Sequence, residues 1–109
     1  MLDYLKNEIK DFSEKQFGPR TNPTGPLNHL KEEIIELINE IEKGQPDHWS
    51  EQEEWADCLL LLLDAFRIRY GNETSYNKLL HFALNKLEVI KQRDWDSEPD
   101  EHGVYHSKK

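Results

Sequence analysis

The sequence predicts an all-α fold in which four amphipathic helices form a bundle. Apolar residues recur at spacings of three and four along most of the chain, which is the period of one face of an α-helix. Segments rich in proline and glycine separate these stretches. No segment shows the apolar–polar alternation that is typical of a β-strand. A length of 109 residues matches one domain, so we expect a single domain over 1–109.

The helix boundaries follow from residues that start or stop helices. The loop Gly18–Pro26 contains three prolines and two glycines, and its last proline suits the first turn of the next helix. Gly44 and Gly71 are positioned to end the second and third helices. Ser50 and Glu53 have the spacing of a capping box at the start of the third helix. The predicted helices span 1–17, 27–43, 51–70 and 75–93, and a polar tail covers 94–109.

The second and fourth helices should each turn one apolar face inward. On the second helix this face consists of Leu27, Leu30, Ile34, Leu37, Ile38 and Ile41. On the fourth it consists of Tyr76, Leu79, Leu80, Ala83, Leu84, Leu87 and Ile90.

The third predicted helix is the most apolar of the four. Its residues 58–63 are apolar on every face, so we expect this helix to lie in the middle of the fold. The whole chain is only 36% hydrophobic and 33% charged, with a mean hydropathy of −0.90. Such a thin core favours self-association into a homodimer or homotetramer, because a small domain buries little apolar surface alone. The polar tail should lack fixed structure unless a partner covers it.

Composition excludes several classes of function. No run approaches the roughly 18 to 20 apolar residues that a membrane span needs, and the acidic N-terminus is unlike a signal peptide. Cys58 is the only cysteine, so no intrachain disulfide and no cysteine zinc site can form. These features predict an intracellular protein. A formal net charge of −8 opposes broad binding to nucleic acid.

Glutamates border the apolar face of the second helix instead of lying opposite it. Glu33 and Glu36 are three residues apart and Glu40 follows four later, so at 100° per residue they form one strip. His29 shares this strip, whereas Glu32 points away from it. The strip is therefore a candidate for chemistry, not only for solubility.

The third helix carries a matching set of acids. Glu54 and Asp57 are three residues apart, Asp64 follows Asp57 by seven, and Glu54 lies in line with the stripe expected to face inward. A carboxylate that points into a helix bundle is costly unless it is paired, protonated or bound to a cation. Acids that converge from two neighbouring helices therefore predict an all-oxygen site for Mg²⁺ or Mn²⁺.

Other interpretations of these acids are weaker. Zinc is disfavoured because cysteine and histidine ligands do not converge. A ferritin-like di-iron bundle needs Glu-x-x-His on two helices, and no histidine of this chain has an acid three residues before it. For Glu33, Glu36 and Glu40, a solvated acidic face without an ion remains the alternative.

The acids also form a recognisable motif. Residues 32–36 read EEIIE and residues 54–57 read EWAD, which resembles the EExxE and ExxD signature of the MazG-like all-α nucleoside triphosphate pyrophosphohydrolases. One branch, the dATP/dGTP pyrophosphohydrolases, is more similar still. Its pattern matches residues 17–19, 25–30, 54–57, 63–65, 67, 86–87, 93–95 and 100–106. One departure is Ile90, where this family often has an asparagine that lies near the substrate.

The resemblance implies that a purine deoxynucleoside triphosphate, dGTP or dATP, is hydrolysed between its α and β phosphates to the monophosphate and pyrophosphate. It also implies that two or more Mg²⁺ or Mn²⁺ ions are bound by Glu33, Glu36, Glu54 and Asp57. One of these acids, or Glu32, would accept a proton from the attacking water; Glu32, Glu33 and Glu36 are the catalytic candidates.

Basic residues complete the expected site. Lys86 and Arg93 are seven residues apart on one side of the fourth predicted helix, where they could hold phosphate oxygens. His29 would meet the sugar or base, or donate a hydrogen bond to a carboxylate. Arg20 is a weaker candidate for phosphate binding.

The resemblance also implies a biological role. Similar phage enzymes supply dGMP for 2-aminoadenine DNA synthesis, so we expect the cytoplasm of a bacterium or of a phage-infected host. Relatives form dimers or tetramers. A non-catalytic helical dimerisation or regulatory module, and a nucleotide sensor that binds without turnover, remain alternatives. The sequence does not choose between dGTP and dATP.

Overall fold

The computed structural model describes residues 1–43 and 48–108. Within these ranges the chain forms α1 (Leu2–Phe17), α2 (Thr24–Glu42), α3 (His48–Tyr70) and α4 (Asn77–Ile90), and no β-strand. The predicted all-α class is confirmed. Internal packing divides the chain into two compact units, Met1–Asn77 and Lys78–Lys109. This division into two units does not test whether residues 1–109 fold as a single domain, which stays a prediction.

Helix α3 is central in the first unit, as its apolar sequence predicts. Both α1 and α2 pack against it. The buried apolar side chains are Ile9, Leu37, Leu63, Ala65, Phe66, Ile68 and Tyr76. Despite the apolar run in α3, no helix of the described ranges is long and apolar enough to cross a membrane.

Helix α2 begins three residues earlier than predicted, at Thr24. Asn22 explains this start, because its Oδ1 accepts hydrogen bonds from the backbone N–H of Thr24 at 3.0 Å and from the Thr24 hydroxyl at 2.9 Å. Such an Asx turn satisfies a donor at the helix N-terminus. Pro26 becomes the third helical residue, where it still falls in the first turn and costs no hydrogen bond.

Helix α3 also begins earlier than predicted, at His48. Ser50 lies inside the helix, so the pair of Ser50 and Glu53 does not mark its N-terminus as expected. Gly44, the predicted end of α2, lies outside the described residues. At the other end of α3, Gly71 has a φ of 95° and donates its N–H to the Arg67 carbonyl at 2.8 Å. Glycine adopts this left-handed conformation without strain, so it ends the helix as predicted.

The apolar faces predicted for α2 and α4 are only partly buried. On α2, Leu37 is buried, whereas Ile34, Ile38 and Ile41 are 42%, 48% and 49% exposed. No residue of α4 is buried, although Tyr76 just before it is 1% exposed. The prediction that these faces point into the core of one chain is wrong for most of their residues. Exposed apolar patches of this kind are typical of interaction surfaces.

Helix α4 ends at Ile90, three residues before the predicted end. Trp95 supplies the reason, because its indole N–H donates to the Ile90 carbonyl at 2.9 Å. The backbone N–H of Arg93 reaches the same carbonyl at 3.3 Å, which is the tighter spacing of a 3₁₀ turn. Arg93 thus lies in a turn beyond the helix, and the helical argument that placed it on one side with Lys86 does not hold.

The polar tail forms a hydrogen-bonded loop, so the expectation that it lacks structure without a partner is wrong. One carboxylate oxygen of Asp100 accepts the backbone N–H groups of His102 and Val104 at 2.8 and 2.9 Å. Its other oxygen lies 2.9 Å from Nε2 of His106. The contact with His106 has the largest effect on the pKa of Asp100 and lowers it below its usual value; the two backbone hydrogen bonds lower it further. An isolated antiparallel backbone bridge closes the loop.

Candidate metal centre

Three glutamates meet where α2 packs against α3. Glu33 and Glu36 lie on α2 and Glu54 lies on α3, and one carboxylate oxygen from each falls within 4.8 Å of the other two. The structure therefore brings together three of the four predicted metal ligands. We call these three residues the glutamate cluster; that it binds an ion stays a prediction.

The carboxyl groups of the glutamate cluster perturb one another. Hydrogen bonding to Glu54, then burial, then the neighbouring Glu36 raise the pKa of Glu33 to about 7. The Glu33 side chain is 14% exposed, whereas Glu36 is exposed to solvent. Oε2 of Glu54 is buried and has no hydrogen-bond partner. Carboxylates this close in a partly desolvated site favour either a shared proton or a bound cation.

His29 lies one helical turn before the cluster. Its Nε2 is 3.2 Å from Oε1 of Glu33, which is the contact that their i, i+4 spacing predicts. A histidine in this position can orient the carboxylate of a metal ligand. Glu40, the last member of the predicted strip, pairs instead with Lys43 at 3.0 Å and is not part of the cluster.

Two predicted site acids lie outside the cluster. The side chain of Asp57 is exposed, and its carboxylate is not among the grouped oxygens. Glu32 is exposed as well. Asp57 as the fourth ligand and Glu32 as a proton acceptor stay predictions.

The donor set fits a hard divalent cation. All three grouped atoms are carboxylate oxygens, which Mg²⁺ and Mn²⁺ prefer. Burial, and then the charges of Glu33 and Glu54, raise the pKa of the nearby Cys58 thiol, so it stays protonated and is a poor ligand. The buried Glu54 oxygen without a donor is an unused ligand atom. Mg²⁺ or Mn²⁺ therefore suits this cluster better than a soft metal.

A second buried carboxylate on α3 is satisfied in a different way. Asp64 is 8% exposed, and both of its oxygens accept hydrogen bonds. Oδ1 accepts from Nε and Nη2 of Arg67 at 3.1 and 2.8 Å. Oδ2 accepts from Nη2 of Arg20 at 2.7 Å and from the Ser13 hydroxyl at 3.1 Å. Asp64 is thus the centre of an ion-pair network and not an extension of the metal centre.

Sequence reasoning missed this network. The spacing of three between Asp64 and Arg67 was an available signal, but Ser13 and Arg20 come from α1 and from the loop after it. Arg20 donates to Ser13 at 2.6 Å as well as to Asp64, and its guanidinium carbon lies 4.9 Å from the centre of the Phe17 ring. The weaker expectation that Arg20 binds phosphate has no support in these contacts.

A cavity of about 500 Å³ lies beside the glutamate cluster, within the first unit. Its lining comes from α1, the following loop, α2 and α3, and is mostly apolar. His29 belongs both to this lining and to the contact with Glu33, so the cavity and the cluster are neighbours. The volume falls in the range of small-molecule pockets, about 300–1,000 Å³.

The two basic residues expected at the substrate belong to the second unit. Lys86 is exposed on α4, and Arg93 is exposed in the turn that follows. Their contact with phosphate stays a prediction.

Comparison with known proteins decides the family. The model of the dATP/dGTP pyrophosphohydrolase family matches residues 5–108, which is nearly the whole chain and includes all three clustered glutamates. The chain belongs to the dATP/dGTP pyrophosphohydrolase family. Searches of curated proteins and of solved structures gave no match.

Membership in the dATP/dGTP pyrophosphohydrolase family confirms the resemblance that the EEIIE and EWAD motifs carry. The protein is an enzyme, a hydrolase that acts on the pyrophosphate bonds of nucleoside triphosphates. This assignment replaces the alternative of a non-catalytic helical module. The glutamate cluster is accordingly the candidate active site of a dATP/dGTP pyrophosphohydrolase.

Proposed function

We propose that the protein hydrolyses dGTP, dATP or both between the α and β phosphates, in a reaction that requires Mg²⁺ or Mn²⁺. The products are the deoxynucleoside monophosphate and pyrophosphate. The observation that carries this proposal is the meeting of Glu33, Glu36 and Glu54 within 4.8 Å in a chain of this family. A triphosphate, with about four negative charges, approaches three carboxylates only when cations shield the charge.

In the proposed site, Glu33, Glu36 and Glu54 would hold two or more ions, and Asp57 would complete the ligand set from α3. When bound, these ions would shield phosphate oxygens and lower the pKa of a water molecule. His29 orients the carboxylate of Glu33 through the 3.2 Å contact.

One acid of α2 accepts the proton that the attacking water loses. The candidates are Glu32, Glu33 and Glu36. A general base works best when its pKa lies near the operating pH. In the metal-free protein the pKa of Glu33 is raised to about 7, and a cation bound to this carboxylate would lower it. The water oxygen bonds to the α-phosphorus while the bond from that phosphorus to the α–β bridging oxygen breaks, and pyrophosphate leaves with the bridging oxygen.

Lys86 and Arg93 are proposed to bind phosphate oxygens and to stabilise the leaving pyrophosphate. Their exposed side chains leave a cationic group accessible to an anionic substrate. His29 is proposed to contact the sugar or base from its position between the cluster and the cavity.

The test is a panel of canonical dNTPs and NTPs with Mg²⁺ or Mn²⁺, in which the nucleotide products are separated by anion exchange. We expect dGMP or dAMP together with pyrophosphate. Glu54→Gln should lower kcat by at least about 100-fold, whereas Glu53→Gln changes the exposed neighbouring acid and should keep activity.

Three outcomes would contradict the proposal. Diphosphate and inorganic phosphate as the main products would overturn cleavage between the α and β phosphates. Full activity in excess chelator would overturn the metal requirement. Tight nucleotide binding with no product in any combination would identify a sensor instead of an enzyme of this reaction.

We also propose that the enzyme is a homodimer or homotetramer in the cytoplasm of a bacterium or phage-infected host. The exposed isoleucines Ile34, Ile38 and Ile41 support self-association. Light scattering should give two or four protomers at micromolar concentration, and a monomer would overturn this part. A strong preference for dGTP would support a role in supplying dGMP for 2-aminoadenine DNA synthesis.

A further inference from the structure

None of the clustered glutamates lines the cavity beside the glutamate cluster. Its apolar walls come from three helices and the loop between α1 and α2. The lining includes Phe12, Phe17, Arg20, His29, Leu60 and Asp64. His29 links this lining to the cluster, because its ring contacts Glu33. A molecule in the cavity would therefore extend toward the site where phosphates are expected.

Two aromatic side chains at this cavity are largely exposed. Phe12 and Phe17 line it, are 63% and 59% exposed, and pack edge to face with their ring centres 6.1 Å apart. Flat aromatic faces next to an open cavity suit the stacking of a nucleobase, which is itself flat and apolar on both faces.

Arg20 is the cation in this lining, and only part of its hydrogen-bonding capacity is used. Both hydrogen bonds shown for Arg20, to Asp64 and Ser13, come from its Nη2. Its Nε is buried and out of a ligand's reach, but the side chain as a whole is 28% exposed at the cavity. The Asp64 carboxylate accepts four hydrogen bonds, two of them from Arg67, so it has little capacity left for a ligand. Asp64 and Ser13 thus hold the guanidinium in place through Nη2, and Nη1 is the group that can donate to a ligand in the cavity.

We propose that this cavity binds the purine base of the substrate and that Arg20 donates a hydrogen bond to N7 of that base. Adenine and guanine both carry an acceptor at N7, whereas pyrimidines have no equivalent atom. One donor at this position accounts for a site that accepts both purines and rejects pyrimidines. The inference rests on the proposed function, because it assumes that the phosphates lie at the glutamate cluster.

The first experiment changes one atom of the ligand and leaves the protein intact. Binding of dGMP and 7-deaza-dGMP is measured by calorimetry with Mg²⁺ present; neither compound contains a bond that the enzyme hydrolyses. We expect 7-deaza-dGMP to bind about tenfold more weakly, since a hydrogen bond from a charged donor is lost. Equal affinities would overturn the assignment of N7.

A variant then tests whether Arg20 is that donor. In Arg20→Met, which keeps a long apolar stem without donors, dGMP and 7-deaza-dGMP should bind equally, as in a double-mutant cycle. If 7-deaza-dGMP still binds about tenfold more weakly than dGMP, another residue reads N7. If Arg20 contacted phosphate instead, the variant would weaken both ligands equally and the wild-type protein would not discriminate between them.

A matched pair of α3 variants tests the cavity itself. Leu60 and Leu62 are each 41% exposed, but only Leu60 lines the cavity. Leu60→Trp should fill space and weaken dGMP binding at least about tenfold, while Leu62→Trp should leave it unchanged. Unchanged binding in a folded Leu60→Trp protein would overturn the cavity as the base site.

Binding of Mn²⁺ alone separates this inference from the proposed function. We expect both leucine variants and the wild type to bind Mn²⁺ equally, because the glutamate cluster is intact in all three. Failure of the wild type to bind Mn²⁺ would overturn the proposed metal site. Normal Mn²⁺ binding without discrimination at N7, and with no effect of Leu60→Trp, would overturn only the base pocket.

Discussion

Helix α3 carries two inward-facing acids, Glu54 and Asp64, whose surroundings differ. They lie ten residues apart, about 15 Å along the helix axis. Both oxygens of Asp64 accept hydrogen bonds, and two arginines neutralise its charge. Glu54 faces two further glutamates, and one of its oxygens has no donor at all.

This difference shows that the hydrogen-bond partners of a buried carboxylate indicate whether it has a structural or a ligand-binding role. A carboxylate that the chain has already paired, such as Asp64, stabilises the fold and is closed to ligands. A carboxylate grouped with others, such as Glu54, has an oxygen without a donor, which a shared proton or a bound cation would satisfy. The contrast predicts that substitutions at the two sites have opposite effects on activity and on stability.

The largest expected effect is the loss of activity at the glutamate cluster. Glu36→Gln removes one ligand charge and should lower kcat/KM by a factor of about 100 or more. Without metal, the variant should be as stable as the wild type or more stable, because one repulsive charge is gone. Turnover measured with metal checks the loss of kcat/KM, and thermal unfolding measured without metal checks the stability. A clear drop in metal-free stability would mean that the cluster is a structural feature.

The next effect is a loss of stability at Asp64. Asp64→Asn leaves Arg67, which is 4% exposed, without its full counter-charge. Breaking a buried pair typically costs about 3–5 kcal/mol of the free energy of unfolding. Urea unfolding measures this cost. Asp11→Asn, which changes the exposed partner of Lys10 at 3.7 Å, is the control and should change stability by less than about 0.5 kcal/mol.

Metal should stabilise the protein only through the glutamate cluster. Mg²⁺ or Mn²⁺ at about 100 times Kd should add about 2.7 kcal/mol to the free energy of unfolding of the wild type. Glu54→Gln should lose most of this gain, and Asp64→Asn should keep it despite its lower starting stability. A metal-induced rise in Tm of equal size in Glu54→Gln would place the binding site elsewhere.

The smallest effect is the pH dependence of the metal-free protein. The pKa of Glu33 rises from about 4.5 in the unfolded chain to about 7 in the folded protein, so the folded state retains a proton that the unfolded state releases. Stability from this group is therefore complete below about pH 4.5 and is lost as pH rises to about 7. Glu33→Gln should flatten this part of the curve of Tm against pH. A wild-type Tm that rises over the same range would contradict the assignment.

Residue spacing within single helices was enough to predict much of the candidate site. Helical spacing was enough to place Glu33 and Glu36 on one strip and to turn Glu54 inward, because each relation lies within a single helix. The network at Asp64 could not be predicted in this way, since Ser13 and Arg20 approach it from 51 and 44 residues away in sequence. Such pairings depend on tertiary packing.

The apolar faces and the end of α4 show the same limit. Periodicity identified Ile34 and Ile38 as one face but could not tell whether that face is covered within one chain. The end of α4 depends on Trp95, five residues further on, which takes the Ile90 carbonyl. The sequence of the helix itself does not include Trp95, so the pattern within the helix cannot predict where it ends.

The meeting of three separate stretches of chain at one carboxylate has an evolutionary consequence. Ser13, Arg20 and Arg67 all donate to Asp64, so a replacement at any of these positions leaves the others mismatched. Neutral drift should therefore be slow at all four positions, and accepted changes should occur as coordinated sets. Homologous sequences in which these positions vary independently would argue against that coupling.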